Sequence, residues 1–429
     1  MSERSLRRRY VLIAALHYFP IGVIMPITVL MLDARGYSIG TIGALYAIFM
    51  VLVGVLELPT GGLADTWGRR PVLILAALAD TAGMVSFALA NTLVVLIAAE
   101  VLLALGQALY SGPLEAWYVD AVHGEDASAD VTPGLARGHS AQGLGLAIGA
   151  LVGGALPHVF SGLPDAGDAL VLSFSIPFLV AAGLSMAGIG ALYLLLHEPA
   201  RAHSRTHATS GVFATMRRAL SLSARNRVVR AVLGRFALVA LGSIAFELIV
   251  PIRLERLTAD PERAASLYAV IFTAGMLGTA LSANLAPFVR RRFGGAANGA
   301  MVATLAGGIV ACLGAIDGVA PVAVGLLGGY LLTGPARPLL SDVIHREVAA
   351  SERATVLSAQ SIVVMSGAFV GSLLLPVIAG AWSTGVAMLV AGIAIAAGAA
   401  PLATIAHWTK QTAREVDHPA IIDRGVAGD

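Results

Sequence analysis

The chain has 429 residues, 57% of them hydrophobic and only 13% charged, with a mean hydropathy of +0.82. A soluble domain carries about 25% charged residues, so most of this surface must face lipid rather than water. The net charge of +2 says little by itself, no nucleic-acid partner is expected, and a single cysteine, Cys312, excludes an intramolecular disulfide or a multi-cysteine metal site.

The start, "MSERSLRRRYVLIAALHYFPIGVIMPITVLML", joins a basic head to a long apolar run containing Pro20 and Pro26. A signal peptide has an apolar core of about 7–15 residues and a small-residue cleavage site, so this longer run is read as a first membrane helix. A crossing helix needs about 20 apolar residues. Twelve such segments, helices 1 to 12, are predicted at 10–31, 38–62, 71–90, 93–121, 137–160, 168–196, 229–252, 264–289, 296–315, 319–343, 354–380 and 383–407. With the N-terminus inside, four of the 28 basic residues (Arg35, Arg253, Arg256, Arg263) fall outside and two (Arg235, Arg337) within helices, leaving 22 on the inner side. That bias predicts cytoplasmic termini. The basic stretch 198–228 separates an N-terminal half, 1–197, from a C-terminal half, 229–408, and 409–429 forms a cytoplasmic tail.

The halves repeat. "SGPLEAWYVDAVH" (Ser111–His123) aligns without gaps on "TGPARPLLSDVIH" (Thr333–His345), sharing Gly112/Gly334, Pro113/Pro335, Asp120/Asp342 and His123/His345. One helix later "SAQ" and "GALVG" (Gly149–Gly153) match "SAQ" and "GAFVG" (Gly367–Gly371). Parallel repeats of six helices place a substrate site between the halves, near the midplane.

Between helices 2 and 3 the loop reads "GGLADTWGRR": Gly61, Asp65, Gly68, Arg69 and Arg70 interrupt two apolar runs. Gly61 and Gly68 permit tight turning, and Asp65 can face a helix N-terminus or an arginine. Arg69 and Arg70 can reach a carboxylate, with Asp120 as the candidate partner. A topology anchor is the plainer alternative. The cluster resembles the loop signature of the major facilitator superfamily, G-x-L-A-D-R-x-G-R-R, with Thr66 at the usual first basic position. The resemblance, with the drug:proton antiporters as the most similar group, covers nearly the whole chain. It implies an all-α integral membrane fold of twelve transmembrane helices in two pseudo-symmetric six-helix halves. It also implies a cavity lined by helices 1, 4, 7 and 10, and a latching role for the loop. The second-half counterpart, Ala283–Gly295, keeps Leu285, Ala286 and Gly294 but has Arg291 where Asp65 would fall, and is read as a topology anchor.

Ionisable groups inside membrane helices face a cavity or a partner. On helix 4, Glu100, Gln107, Ser111 and Tyr118 share one stripe at about 100° per residue, and on helix 10 Tyr330, Thr333, Arg337 and Ser341 do the same. Both stripes are cavity candidates; hydrogen bonding between helices is the alternative. Glu115 and Arg337 match in the repeat near the inner rim, as a gate that pairs when closed or as a permanent salt bridge. For proton coupling the candidates are Glu100, Asp80 and His17, with packed, hydrogen-bonded roles as the alternative for the last two. Glu57, towards the inner end of helix 2, is a candidate brace for the gate, while Arg235 and Glu247 are either cavity-facing or end anchors.

In helix 5, Gly145, Gly149, Gly153 and Gly154 are similar to the core of the superfamily's antiporter motif, G-x-x-x-G-P-x-x-G-G, with Ala150 in place of proline. Ordinary small-residue packing is the alternative. The resemblance of the loop and of the incomplete helix-5 motif implies a proton-coupled exporter of an amphiphilic small molecule, expected in a bacterial cytoplasmic membrane. It is expected to be a monomer without cofactor or metal. Uptake or facilitated diffusion of a polar solute is the rival within transport. A receptor or membrane enzyme on the same frame is the rival class, and no nucleophile, metal-ligand spacing or nucleotide-binding loop supports it.

Overall fold

The computed structural model describes residues 3–60, 62–198, 226–348 and 353–406. Gly61, most of the central linker and the tail from 407 lie outside the described residues, as do the side chains of Leu58, Pro59, Asp65 and Ala354. Twelve spans long and apolar enough to cross a bilayer run Glu3–Ala34, Ile39–Glu57, Arg69–Ala88, Leu93–His123, Thr132–Val159, Ser175–Leu195, Arg227–Thr258, Pro261–Ala283, Ala296–Ala315, Val319–Glu347, Thr355–Ala381 and Thr384–Ile405. They are helices 1 to 12. The fold is all-α, with six helices in each half and no strand among the described residues.

Local chemistry sets the ends. Thr92, Asn226, Asp260 and Ser383 each turn a side-chain oxygen onto the first free backbone N–H groups of helices 4, 7, 8 and 12. Asp130 Oδ1 accepts from the Thr132 backbone N at 2.9 Å at the start of helix 5. Hydrogen bonds from the Thr132 side chain and backbone hold the Asp130 carboxyl below the usual carboxylate range.

Helices 1, 4, 7 and 10 are interrupted. Helix 1 turns at Met25–Ile27, and helix 7 divides into Arg227–Ser243, Ala245–Leu248 and Val250–Thr258. Helix 4 breaks between Tyr110 and Pro113, and helix 10 between Thr333 and Ala336. Both of the latter breaks fall on the repeated Gly-Pro pair. Gly112 takes φ +91°, a left-handed value that favours glycine, and proline lacks the N–H that would continue the ladder.

Within each half, two helices meet backbone to backbone. A Cβ on Gly145 would lie 2.7 Å from the Ala15 carbonyl oxygen. One on Gly149 would fall on the Phe19 carbonyl, and one on Gly153 on the Val23 carbonyl. In the other half, Gly367 lies against the Ala237 carbonyl and Gly371 against that of Leu241. The repeated "GALVG" and "GAFVG" therefore make the same contact, helix 5 on helix 1 and helix 11 on helix 7.

Across the halves, helix 5 meets helix 8 and helix 2 meets helix 11. Ser266 Oγ donates to the Gly154 carbonyl at 2.8 Å, and Thr273 Oγ1 to the Ala147 carbonyl at 3.1 Å. Gly43 leaves room for the Ser372 carbonyl. On the face opposite the N-terminus, apolar side chains of both halves merge into one buried cluster, from Ile27 and Phe178 to Phe246 and Met388. On the face bearing the N-terminus, each half keeps its own cluster: Leu6 to Leu196 in one, Val228 to Ile405 in the other. The halves are thus joined at one face and parted at the other.

Replacing Gly153 by Ala should cost about 1–3 kcal/mol through overpacking against helix 1. Gly183, whose added Cβ would meet nothing within 4 Å, should accept Ala freely. Thermal unfolding in detergent reads the difference; equal midpoints for the two variants would remove the close contact from the account.

Candidate transport site

On the parted face, Gly68 takes φ +93° and starts helix 3. The first N–H groups of that helix are capped from a distance in sequence: Glu198 Oε1 accepts from the Arg69 N at 2.7 Å, and Oε2 from the Arg70 N at 3.2 Å. A carboxylate suits the positive end of a helix dipole. A Cβ on Gly68 would come within 2.9 Å of the same carboxylate. Arg69, buried, reaches Asp120 with Nη2–Oδ2 at 2.7 Å. Arg70 lies 3.9 Å over the Tyr193 ring. Nothing in the sequence marked Glu198 as the cap, because 129 residues separate it from Arg69.

The second-half loop does more than anchor topology. Arg290 Nη1 lies 3.2 Å from Asp342, and Arg346 Nε also bonds that carboxylate at 3.0 Å. Asp342 is the repeat partner of Asp120, so the loop–helix ion pair recurs in both halves although the glycine–acid signature does not. Each pair lies within its own half.

The two polar stripes are only partly on the cavity. Gln107 and Tyr330 are half-buried, and Ser111, Arg337 and Ser341 are exposed. Ser111 stands within hydrogen-bonding reach of Glu57. Two residues are corrected. Tyr118 is buried and stacks on Tyr10 with ring centroids 4.6 Å apart, because the break at Gly112 resets the register of helix 4. Thr333 gives its hydroxyl to the Gly329 carbonyl at 2.7 Å and packs its methyl against Gly307 of helix 9, away from the other half. The permanent Glu115–Arg337 bridge is also corrected: Glu115 stands 3.6 Å from His139, and no ion pair joins it to Arg337 with the halves parted on this face.

Nearer the joined face, acids and aromatics of both halves converge. Glu100 on helix 4 is buried, and Glu247 on helix 7 is half-buried. Both lie within electrostatic range of Tyr46 on helix 2. Glu247 also acts on Tyr268 of helix 8 and Tyr330 of helix 10. Phe246 lies 5.2 Å from the Tyr330 ring and Phe272 6.3 Å from it. The Tyr268 hydroxyl is buried without a partner. This places Glu247 among the aromatic rings rather than at a helix end. Tyr46 and Tyr268 escaped the sequence reading because a lone tyrosine in an apolar helix carries no periodic signal.

The other two proton candidates meet each other. His17 Nδ1 lies 3.9 Å from Asp80 Oδ2, and the imidazole stacks on Tyr110 at 3.3 Å. Gly106 of helix 4 leaves the room that the Asp80 carboxylate fills. His17, Tyr110 and Ser185 also line a crevice with apolar residues of helices 1, 3 and 6. In the other half Arg235 of helix 7 donates from Nε to Thr304 Oγ1 of helix 9 at 3.3 Å. Both are contacts between the first and third helices of a half. Arg235 is buried there, so it is neither an end anchor nor a cavity residue.

Of the helix 5 glycines, Gly145, Gly149 and Gly153 face helix 1, and only Gly154 faces the other half, against Ala265 and Ala269 of helix 8. Helix 11 carries the matching glycines in the matching contact, so close packing accounts for three of the four. Among the described residues, no group of three or more His, Cys, Asp or Glu side chains converges to hold a metal.

A broken-helix lining, two repeated halves and an interface joined at one face only are the frame of an alternating-access carrier. The sequence model of the Major Facilitator Superfamily matches residues 10–372. The chain belongs to that superfamily. By family and fold it is a multi-pass membrane transporter. No curated protein matches it in sequence. Among solved structures it is similar to the nucleoside transporter NupG, at 15% identity and TM-score 0.71, covering 95% of this chain and 99% of that one. It is also similar to a bacterial homologue of the human lysosomal transporter Spinster in an inward-facing, unoccupied conformation, at 17% identity and TM-score 0.69, covering 96% and 97%. A bacterial homologue of the iron transporter ferroportin, inward-facing, matches at 16% identity and TM-score 0.71, covering 95% and 100%. At these identities the likeness is one of fold.

Gly106→Ala should destabilise the protein, because its Cβ would occupy the space of the Asp80 carboxylate. The same substitution in an Asp80→Ala background should cost much less. Thermal unfolding of the four proteins measures the coupling, and strictly additive costs would separate the two residues.

Proposed function

We propose that this superfamily member is a proton-coupled exporter of an amphiphilic small molecule. The observation that carries the reading is the convergence of Glu100 and Glu247 with Tyr46, Tyr268, Tyr330, Phe246 and Phe272 between the halves. Aromatic faces take an apolar body, and carboxylates take a cationic or hydrogen-bonding head or a proton. Glu100 is the proton carrier in this reading. A proton and a substrate head competing for the same carboxyl cannot be held together, and that competition yields exchange. Gln107, Ser111 and Ser341 line the path to the parted face, and Asp80 with His17 forms a reserve proton pair behind it.

The chain works as a monomer in a bacterial cytoplasmic membrane, with both termini and the basic linker 198–228 inside, since 22 of 28 basic residues then lie on the cytoplasmic side or its loops. The parted face is then the cytoplasmic one. Closing it brings Glu115 and Arg337 towards each other, while the Asp65–Arg70 loop, with Asp120, acts as a gate part. Uptake or facilitated diffusion of a polar solute is the second reading, favoured by the tyrosine hydroxyls, of which that of Tyr268 lacks a partner.

The test is proton movement in proteoliposomes holding a pH-sensitive dye, with lipophilic cations and antibiotics added to wild type, Glu100→Gln and Glu247→Gln. Substrate-evoked proton release should occur in wild type and fall at least tenfold in Glu100→Gln, as expected when a proton-exchanging group is removed. Evoked flux that survives in Glu100→Gln moves the carrier to Asp80 or His17. If no compound evokes proton movement while polar solutes are taken up, export gives way to the second reading.

A further inference from the structure

On the joined face, the end of helix 1 meets the end of helix 7. There the Asp33 and Glu255 carboxyls, one from each half, lie within hydrogen-bonding reach of each other. Neither carboxylate has a proton to donate, so a hydrogen bond between them requires that one carry a proton. Two ionised carboxylates at that separation repel. A second observation points the same way. Glu255 Oε2 is shut off from solvent, and no N–H or O–H group donates to it. An oxygen left so is costly, and a shared proton satisfies it.

We propose that Asp33 and Glu255 form a proton-dependent latch that holds the two halves together on the joined face. With one proton the pair carries a single negative charge, which Arg256, acting on both carboxyls, balances. Without it the pair carries two, and the halves are pushed apart where they now meet.

The other charged groups around the pair are engaged elsewhere. Arg35 turns to the carbonyls of Gly167, Ala169 and Leu170, with Asp168 nearby. Arg253 is held by Thr384, the Ala315 carbonyl and Asp317. Glu262 faces His158 of helix 5 across the interface at 3.6 Å, a separate contact that the amide variants of the pair leave in place, with Asp165 nearby, and Asp260 caps the backbone N of Arg263 at the start of helix 8. Arg256 is therefore the cation that acts on both members of the pair. The latch lies on the opposite side of the interface from the parted face and does not depend on Glu100 being the transport proton's carrier.

The test places spin labels at Ala166→Cys and Ala259→Cys, both exposed on this face and one in each half, in a Cys312→Ser background. Double electron–electron resonance in lipid nanodiscs then reads the distance across the face. In the parent, the long-distance population should rise about tenfold or more as pH is raised from about 5 to about 9, because the proton bound in the joined state is lost. Glu255→Gln and Asp33→Asn should each hold the short distance at all pH values, since an amide donates without a titrating proton. Glu255→Ala should show the long distance throughout. A parent distance that ignores pH, or an unchanged pH response in either amide variant, overturns the latch. Because the readout is a distance and not transport, its failure leaves the proton-release measurement with Glu100→Gln untouched, and the reverse also holds.

Discussion

The close approach of helix 5 to helix 1, and of helix 11 to helix 7, is the constraint on which the rest of the structure depends. In a bilayer, apolar side chains gain nothing by leaving lipid for one another, so helices associate through packing and a few polar contacts. Gly149 and Gly153 in one half, and Gly367 and Gly371 in the other, let one helix backbone lie on the carbonyls of its neighbour. Each half thereby becomes a unit whose broken helices, 1 and 7, are braced along their length by unbroken ones. Motion is then directed to the interface between the halves, where contacts are fewer and include single hydroxyl-to-carbonyl bonds such as Ser266 to Gly154.

Burial of charge follows from that bracing. A titratable group inside an apolar bundle needs a partner at a fixed distance, and only helices held in fixed register can supply one. His17 with Asp80, and Arg235 with Thr304, both join the first helix of a half to the third. Their chemistry has diverged: one half keeps an imidazole beside a carboxyl, the other a cation on a hydroxyl. Glu247 differs from these because its neighbours come from both halves. Tyr46 belongs to one half and Tyr268 and Tyr330 to the other, so a rocking of the halves would change what surrounds Glu247.

Much of the fold was legible in the sequence because a membrane leaves few choices. Apolar length alone gave twelve spans, and the repeated Gly-Pro and Gly-x-x-x-Gly segments gave the two halves. The site was less legible. Extending a 100° stripe along helix 4 assumed a straight helix, and the break at Gly112 turned Tyr118 into the core. Thr333 looked like a cavity hydroxyl, but a threonine in a helix can bond its own preceding turn, as this one does. Asp120 could be named from its spacing, whereas Glu198, Asp33 and Glu255 could not. Their partners lie on other elements, and distance in sequence carries no signature of contact. The second-half loop lost the glycine–acid pattern yet retained an arginine on Asp342, so the ion pair outlasted the motif.

The distribution of ion pairs between the two faces has a mechanical consequence. On the parted face, Arg69 with Asp120 and Arg290 with Asp342 each close within one half. Separating the halves there breaks neither of these two pairs. On the joined face the Asp33–Glu255 contact crosses the interface, and opening must break it. A carrier that alternates needs both faces near balance, and contacts that cross between the halves bias that balance more directly than pairs closed within one half. The polar contacts that span the halves on the joined face, Asp33 with Glu255 and His158 with Glu262 among them, are then where such a bias can act.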